Sequence, residues 1–276
     1  MGDNRNLSII HPNPVTFNVL ILSLFFSGSF IGAWAFFNRF LKQYTKATDI
    51  PQNVFRKRWL FGKVTAVGDG DNFHFFHAPG GLMAGWGWLR PLPELNKSDP
   101  PLSSSKLQSK VPIHRRIFNS IFCGHNSKTA YSNYFLSLPV PYKNRRNLPT
   151  ISIRICGVDA PERAHFGNPA QPFSEEALVC LKHMLIGKCV WIKPLAVDQY
   201  NRCVAKVEYF TWTGWKNVSL EMIKQGLAVV YESRTSAEFD GEEDKYRFHE
   251  LAAKARKRGI WAQKGFETPG EYKKKI

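Results

Sequence analysis

One stretch of this 276-residue chain, residues 151–163, constrains its fold and chemistry more than any other. The letters are ISIRICGVDAPER, and strand alternation places three isoleucines on one face and Arg154 on the other. A glycine and a proline bracket the tight bend that follows, which can leave Asp159 and Glu162 on the same side of the loop. Two carboxylates and a guanidinium are therefore expected to converge. Carboxylates suit a hard divalent cation or a water that needs a base, and a guanidinium suits a pair of phosphate oxygens.

Two further turns carry charged residues in a similar way. Residues 68–72, with the letters GDGDN, follow the strand-like WLFGKVTAV and lead into a second strand. Residues 198–202, with the letters DQYNR, form a polar hairpin turn that ends in a second arginine and precedes the strand CVAKVEYF. The sequence thus places three charged turns beside predicted strands.

Short segments rich in aromatic and β-branched residues, separated by turn residues, predict a mainly β domain of the α+β class. Their spacing is typical of a small Greek-key barrel with packed helices. One helix is predicted over 173–185, where Ser174 is expected to cap a stripe of three core leucines that ends before Gly187. A last helix is predicted from about 236 to 258. The YKKKI end of the basic tail, 263–276, is expected to be disordered.

A charge-free run of 23 residues, 15–37, predicts one transmembrane helix before the domain. At ~1.5 Å per residue, such a helix covers the roughly 30 Å hydrocarbon layer. A buried core helix is the alternative, but the run shows no apolar-polar periodicity. A cleaved signal peptide would have a shorter apolar region with positive charge before it. Here the positive charge follows, in the basic linker 38–58, so the positive-inside rule places the C-terminal domain on the untranslocated side.

The formal net charge of +16 predicts a polyanionic partner, either nucleic acid or anionic lipid. Half of this excess lies in an insertion, 79–149, where ten Lys and Arg residues oppose two acids, ten minus two giving +8. The insertion also carries aromatic residues at Trp86, Trp88, Phe118, Phe122, Tyr131, Tyr134 and Phe135. Two interpretations stay open: an arm that stacks on bases and contacts phosphates, or a loosely folded loop with a few docked aromatics.

Cysteine and histidine spacing does not indicate zinc. The five cysteines have no metal-type spacing, and their odd number argues against a closed disulfide framework. The histidines show no paired spacing and are expected to be structural or at the surface. Reduced thiols fit a domain on the untranslocated side.

Taken in chain order, the three charged turns resemble the sequence motifs of the staphylococcal nuclease-like, or thermonuclease, family. Those motifs are a DGDT-type turn, an R-x-x-x-[VI]-D-[TA]-P-E loop and a D-x-Y-G-R turn. The resemblance runs from about Trp59 to Trp261 and includes the helix segment 217–228 and the final Gly-Ile-Trp. A single-pass anchor, a long insertion and a PGEY tail narrow it to membrane-anchored fungal proteins classed as mitochondrial endonucleases.

The resemblance implies an OB-fold-like five-stranded barrel that binds Ca²⁺ and cleaves phosphodiester bonds of nucleic acid. It implies that Asp71 and Asp159 provide carboxylate ligands for the metal and Ala160 its backbone carbonyl. Glu162 would orient or deprotonate the attacking water. Two arginines, Arg154 and Arg202, would grip the scissile phosphate from two sides.

Three positions depart from the family pattern. Asn72 and Ala160 stand where threonines are usual, and Asn201 replaces a glycine, although Asn tolerates the same left-handed turn. The carboxylates and arginines are all retained, which favours catalysis over a purely structural ion network.

The predicted layout is a polar segment 1–14, the transmembrane helix 15–37, the linker 38–58, the nuclease-like domain 59–262 and the tail 263–276. Two functional classes follow from this layout. One is a mitochondrial, membrane-anchored, calcium-dependent endonuclease. The other is a catalytically inactive module that binds or tethers nucleic acid on a membrane.

Overall fold

The computed structural model describes residues 14–98, 127–164, 167–232 and 238–275. The chain divides into two compact units, Met1–Lys42 and Gln43–Ile276. In the first unit, helix α1 spans Pro14–Phe36 and continues as a π-helical turn over Phe37–Leu41. By length and composition, the segment Phe17–Leu41 could cross a membrane, with a mean hydropathy of 2.0 and no part of it buried. It overlaps the predicted span.

The second unit is built on a five-stranded closed barrel, as predicted. Its strands are β1 (Leu60–Val67), β2 (Asn72–His77), β3 (Ile151–Ile155), β5 (Cys189–Val197) and β6 (Cys203–Thr211). β1, β2 and β3 form an antiparallel meander, and β5 returns beside β1, which is the Greek-key arrangement. β6 pairs antiparallel with β5 and parallel with β3, and this last pairing closes the barrel.

Shorter strands extend or flank the barrel. β7 (Gly214–Asn217) forms a hairpin with β6, and β4 (Val158–Asp159) pairs with β8 (Val229–Val230) outside the main sheet. The small sheet matters for the site because β4 contains Asp159. Its pairing with β8 fixes the backbone of the charged turn.

The alternation predicted for the central strand is confirmed. Ile151, Ile153 and Ile155 are buried in the main core, whereas Arg154 is only partly buried on the opposite side. The cysteines of the described segments are free thiols.

Six α-helices complete the described fold: α1 in the first unit, then α2 (Ser127–Leu136), α3 (Ser174–Leu185), α4 (Val218–Lys224), α5 (Glu243–Ala255) and α6 (Pro269–Lys275) in the second unit. The leucine stripe of α3 is buried, as predicted. The predicted serine cap is wrong, because Ser174 is itself the first helical residue and is buried. The capping position belongs to Phe173, whose backbone is left-handed and whose side chain makes no capping bond. Helix α5 begins seven positions after the predicted start, 243 against 236, and residues 233–237 lie outside the described segments.

Much of the predicted linker belongs to the barrel unit. Four apolar residues are buried in the main core: Tyr44, Ala47, Ile50 and Val54. The Tyr44 ring stacks on His77 at 4.9 Å between centroids, and the Tyr44 amide donates to His77 Nδ1 at 3.0 Å. The compact unit therefore starts at Gln43 and not at Trp59.

The described parts of the insertion are also packed against the barrel. Phe135 is 2% exposed in the main core and Trp86 is buried against Phe76, so neither ring can stack on a base. Tyr131 donates its hydroxyl to the Gln225 carbonyl at 2.9 Å, whereas Trp88 is 70% exposed. Phe118, Phe122 and the four basic residues between 106 and 116 lie outside the described residues.

The expectation of a disordered tail is wrong for the described residues, which form helix α6. Thr268 and Glu271 make a capping box in which the Thr268 amide donates to Glu271 Oε2 at 2.9 Å and the Glu271 amide donates to Thr268 Oγ1 at 3.2 Å. Pro269 occupies the first helical position, where its missing N–H costs nothing. The tail therefore ends in an ordered turn of helix that carries three lysines.

Candidate active site

Arg154 occupies the centre of the charged cluster. Its backbone lies opposite Asn72 on β2, and the Ile155 amide donates to the Asp71 carbonyl at 2.9 Å, which brings the first charged turn alongside β3. Arg154 Nε lies 3.5 Å from Asp71 Oδ2, and its Nη2 lies 3.2 Å from Asp159 Oδ1. The guanidinium also lies over the ring of Tyr231, 4.9 Å from the centroid. The structure thus brings together the three groups that the first two turns supply.

Burial and charge act against each other in this cluster. Burial raises the pKa of Asp159 above its ordinary value, since the side chain is almost fully covered, and nearby cations only partly offset the effect. For Arg154, burial alone would lower the pKa, but the carboxylates of Asp71 and Asp159 outweigh it and raise the pKa. The arginine is therefore charged and held between two acids.

The loop that contains Ala160 and Glu162 is held at both ends. Ala160 is buried against the first turn, where a Cβ added at Gly70 would lie 2.7 Å from the Ala160 Cβ. Gln171 fixes the backbone of Glu162. Its side-chain Oε1 accepts from the Glu162 backbone amide at 2.9 Å, and its backbone amide donates to the Glu162 carbonyl at 2.8 Å. The Glu162 carboxylate remains partly open to solvent.

The second arginine is positioned by the turn that contains it. Asp198 Oδ1 accepts from the Arg202 amide at 2.8 Å, and its Oδ2 accepts from Arg202 Nε at 2.7 Å. Asn201 takes a φ of 58°, so the left-handed turn expected from asparagine is present. The charge of Asp198 contributes to the raised pKa of Arg154, which indicates that the third turn lies within electrostatic reach of the first two.

A cation from the tail completes the cluster. Lys273 Nζ lies 2.9 Å from Asp159 Oδ1 and 2.7 Å from Glu162 Oε1. One ammonium thus bridges the acid of β4 and the acid of the following loop. This contact also demonstrates that Asp159 and Glu162 face the same side.

Residues 152–263 match the profile of the family described as staphylococcal nuclease homologue. A protein of Zygosaccharomyces rouxii, named "Probable endonuclease LCL3", is 87% identical over 276 residues, 100% of each chain. The chain belongs to the staphylococcal nuclease homologue family. Proteins of the same name are 60% identical in Vanderwaltozyma polyspora (94% of this chain, 93% of that one) and 55% identical in Saccharomyces cerevisiae S288c (94% and 96%). The family resemblance read from the three turns is therefore confirmed.

For this staphylococcal nuclease homologue, the donor set can be tested against the expected metal. Within the described segments, no group of three or more His, Cys, Asp or Glu side chains forms a metal cluster. Asp71 and Asp159 nevertheless present carboxylate oxygens from two turns around Arg154. Carboxylate oxygens are the donors that a hard cation such as Ca²⁺ takes. The residues present fit that ion chemically.

Four residues of the cluster had no assigned role in the sequence interpretation: Asp69, Asp198, Tyr231 and Lys273. Burial raises the pKa of Asp69 to about 6, and the charges of Asp71 and Glu162 contribute to the same effect. Asp69 and Asp198 are acids of the quoted motifs, so the motifs themselves could have indicated them. Tyr231 and Lys273 come from distant parts of the chain, and no local pattern connects them to the site.

Proposed function

We propose that this chain is a membrane-anchored, calcium-dependent endonuclease that hydrolyses phosphodiester bonds in nucleic acid. The observation that supports it most directly is the cluster around Arg154, whose guanidinium contacts two carboxylates within 3.5 Å. Lys273 links one of these acids to Glu162, and the charge of Asp198, the partner of Arg202, acts on Arg154. These are the groups that phosphodiester hydrolysis needs: acids for a metal, a base for water and cations for the phosphate.

In the proposed reaction, Asp71, Asp159 and the Ala160 carbonyl would hold Ca²⁺, which supplies positive charge close to a phosphate oxygen when bound. Glu162 accepts a proton from the attacking water as the water oxygen bonds to phosphorus. The P–O bond to the leaving sugar oxygen then breaks, and that oxygen takes a proton from solvent water. Arg154 and Arg202 donate to the phosphate oxygens and stabilise the charge that grows as phosphorus becomes five-coordinate.

The supporting residues have distinct tasks. Asp198 orients Arg202 through its two hydrogen bonds, and Gln171 holds the backbone of Glu162. Neither is proposed to touch the substrate. Both fix a reacting side chain, which reduces the reorganisation needed in the transition state.

The membrane anchor rests on the apolar helix Phe17–Leu41 and the basic residues that follow it. Nucleic acid as substrate is supported by the formal net charge of +16. The mitochondrial location, and the placement of the domain on the untranslocated side, stay predictions.

Plasmid nicking by the full-length chain in detergent micelles tests the proposal. We expect supercoiled plasmid to be relaxed in Ca²⁺ and left intact in EGTA. The alternative class, an inactive binding module, predicts retardation of the plasmid in a gel without nicking. Retardation without nicking in Ca²⁺, Mg²⁺ and Mn²⁺ would replace the endonuclease proposal with that alternative.

A further inference from the structure

We propose that Lys273 belongs to the active site, where it occupies the cation position between Asp159 and Glu162 and must be displaced before Ca²⁺ binds. The inference rests on the proposed function, since it names a control of the same site. Helix α6 would then act as an internal competitor for the metal. With Lys273 in this position, the metal-free cluster is expected to be inactive.

The first support is the pair of contacts that Lys273 makes. Its ammonium lies 2.9 Å from Asp159 Oδ1 and 2.7 Å from Glu162 Oε1, the groups proposed as metal ligand and general base. A calcium ion held by Asp159 would lie ~2.3–2.6 Å from an oxygen of the same carboxylate. Ammonium and metal would then share one carboxylate, and two positive charges that close together repel strongly away from bulk water.

Asp159 is crowded by cations. Its Oδ1 atom also accepts from Arg154 Nη2 at 3.2 Å, so two protein cations already contact one oxygen. The carboxylate is 2% exposed, which leaves little room for another ligand until one partner leaves. Arg154 is fixed by β3 and by Tyr231, whereas Lys273 comes from the tail. The lysine is the partner that can leave.

Besides the Lys273 ion pairs, the described contacts of the tail include two hydrogen bonds and the packing of the buried Pro269. Tyr272 donates its hydroxyl to the Pro169 carbonyl, and Gln171 Nε2 donates to the Glu267 carbonyl at 3.2 Å. Helix α6 has seven residues, too few for a stable helix without its docking contacts. The Lys273 side chain is 42% exposed. These are the properties of a segment that opens locally at low cost.

Gln171 connects the tail to Glu162, the proposed base. The same side chain accepts from the Glu162 amide and donates to the Glu267 carbonyl. Release of the tail therefore removes the ammonium from Glu162 and frees one hydrogen bond of the residue that holds the Glu162 backbone. The first change leaves the carboxylate available as a base.

Calcium binding to the full-length chain in detergent, measured by isothermal titration calorimetry, tests the inference. The variant is Lys273→Met, and the matched control is Lys274→Met, which removes the same charge one position along and lies in no ion pair with either acid. If the tail is docked about nine-tenths of the time, Lys273→Met should bind Ca²⁺ roughly tenfold tighter than wild type. Lys274→Met should stay within about twofold of wild type, because its charge is screened by solvent.

A second measurement follows the tail itself. Amide hydrogen exchange of residues 270–275 is expected to speed up when Ca²⁺ is added to wild type, because the helix is released. A fixed structural ion pair predicts the opposite result: equal Ca²⁺ affinity in wild type and Lys273→Met, with unchanged exchange. That result would overturn the inference and leave the nuclease proposal standing. Failure of Ca²⁺ to bind to either protein would overturn the calcium assignment together with the inference.

Discussion

Asp159 shows how residue-scale forces shape the site. It is almost fully buried, it carries a raised pKa, and it is stabilised by Arg154 on one side and Lys273 on the other. Replacement of Asp159 would leave the largely buried guanidinium of Arg154 with one carboxylate fewer, and an uncompensated buried charge strongly destabilises a fold. Residues at the solvent edge of the cluster are better targets for functional tests than Asp159 itself.

Glu162→Gln and Arg202→Ala are expected to abolish cleavage and leave the fold near wild type. Both side chains are partly exposed and serve the transition state, so each loss should cost ~3 kcal/mol of barrier or more, on the order of 10² in rate. Single-turnover nicking rates and circular dichroism measure the two effects. Arg163→Ala is the control, since Arg163 pairs with Glu175 at the surface. Activity within tenfold of wild type in both variants would contradict the site assignment.

His77 makes stability depend on pH. Burial, assisted by the charge of Arg58, lowers its pKa to about 4, and its Nδ1 accepts from the Tyr44 amide, which requires the neutral ring. Because the unfolded chain binds a proton near pH 6.5 and the folded chain does not, stability is complete above that pH and falls as the pH decreases towards 4. We expect the free energy of unfolding to be about 2 kcal/mol lower at pH 5 than at pH 7 from this group alone.

Urea unfolding of wild type and His77→Gln at both pH values isolates this contribution. All other titrating groups are shared, so they cancel in the comparison. The difference between pH 7 and pH 5 should shrink by about 2 kcal/mol in His77→Gln. An identical pH dependence in the two proteins would show that His77 is not the sensitive group.

At the scale of elements, the ends of α4 and α5 meet through two glycines. Gly226 has a φ of 61°, and a Cβ there would lie 2.3 Å from the Arg258 carbonyl oxygen. Gly259 has a φ of 52°, and its Cβ would lie 2.1 Å from the Gly226 carbonyl oxygen. The Ile260 amide donates to the Gly226 carbonyl at 2.9 Å, so the two backbones are in direct contact. Side chains larger than hydrogen cannot enter this junction.

Gly226→Ala is expected to lower the free energy of unfolding by about 3 kcal/mol, from left-handed strain plus overpacking. Gly241→Ala is the matched control, because Gly241 also has a positive φ, 77°, but nothing lies within 4 Å of its Cβ position. That variant should lose about 1 kcal/mol. Equal urea midpoints for the two variants would mean that the close contact adds nothing to the strain.

Some elements of the fold could be predicted from the sequence, and others could not. The isoleucine alternation of β3 and the leucine stripe of α3 were predictable because each has one buried face. Helix α6 was missed although Thr268, Pro269 and Glu271 form a start signal, because its short basic sequence favours disorder when the docking surface is unknown. Lys273 could not be placed without the tertiary fold. Its contact with Asp159 is made across 114 sequence positions.

At the scale of the whole molecule, the chain is expected to remain in the membrane through an uncleaved span. The reason is the length and apolar character of Phe17–Leu41. Alkaline carbonate extraction of membranes that contain the full-length chain should leave it in the pellet, and a chain that starts at Gln43 should be soluble. Recovery of the full-length chain in the carbonate supernatant would exclude the span.

The pairing of β3 with β6, which closes the barrel, determines when the proposed activity can appear during folding. β3 pairs with β6 through Ile153 and Cys203, 50 positions apart by their numbers, and β5 pairs with β1 across a still longer separation. Contacts between such distant positions form slowly, because loop closure is costly. Arg154 lies in β3, and the turn with Arg202 leads into β6. The proposed site is therefore assembled only in the closed barrel, so a newly made chain should spare nearby nucleic acid until its barrel has formed.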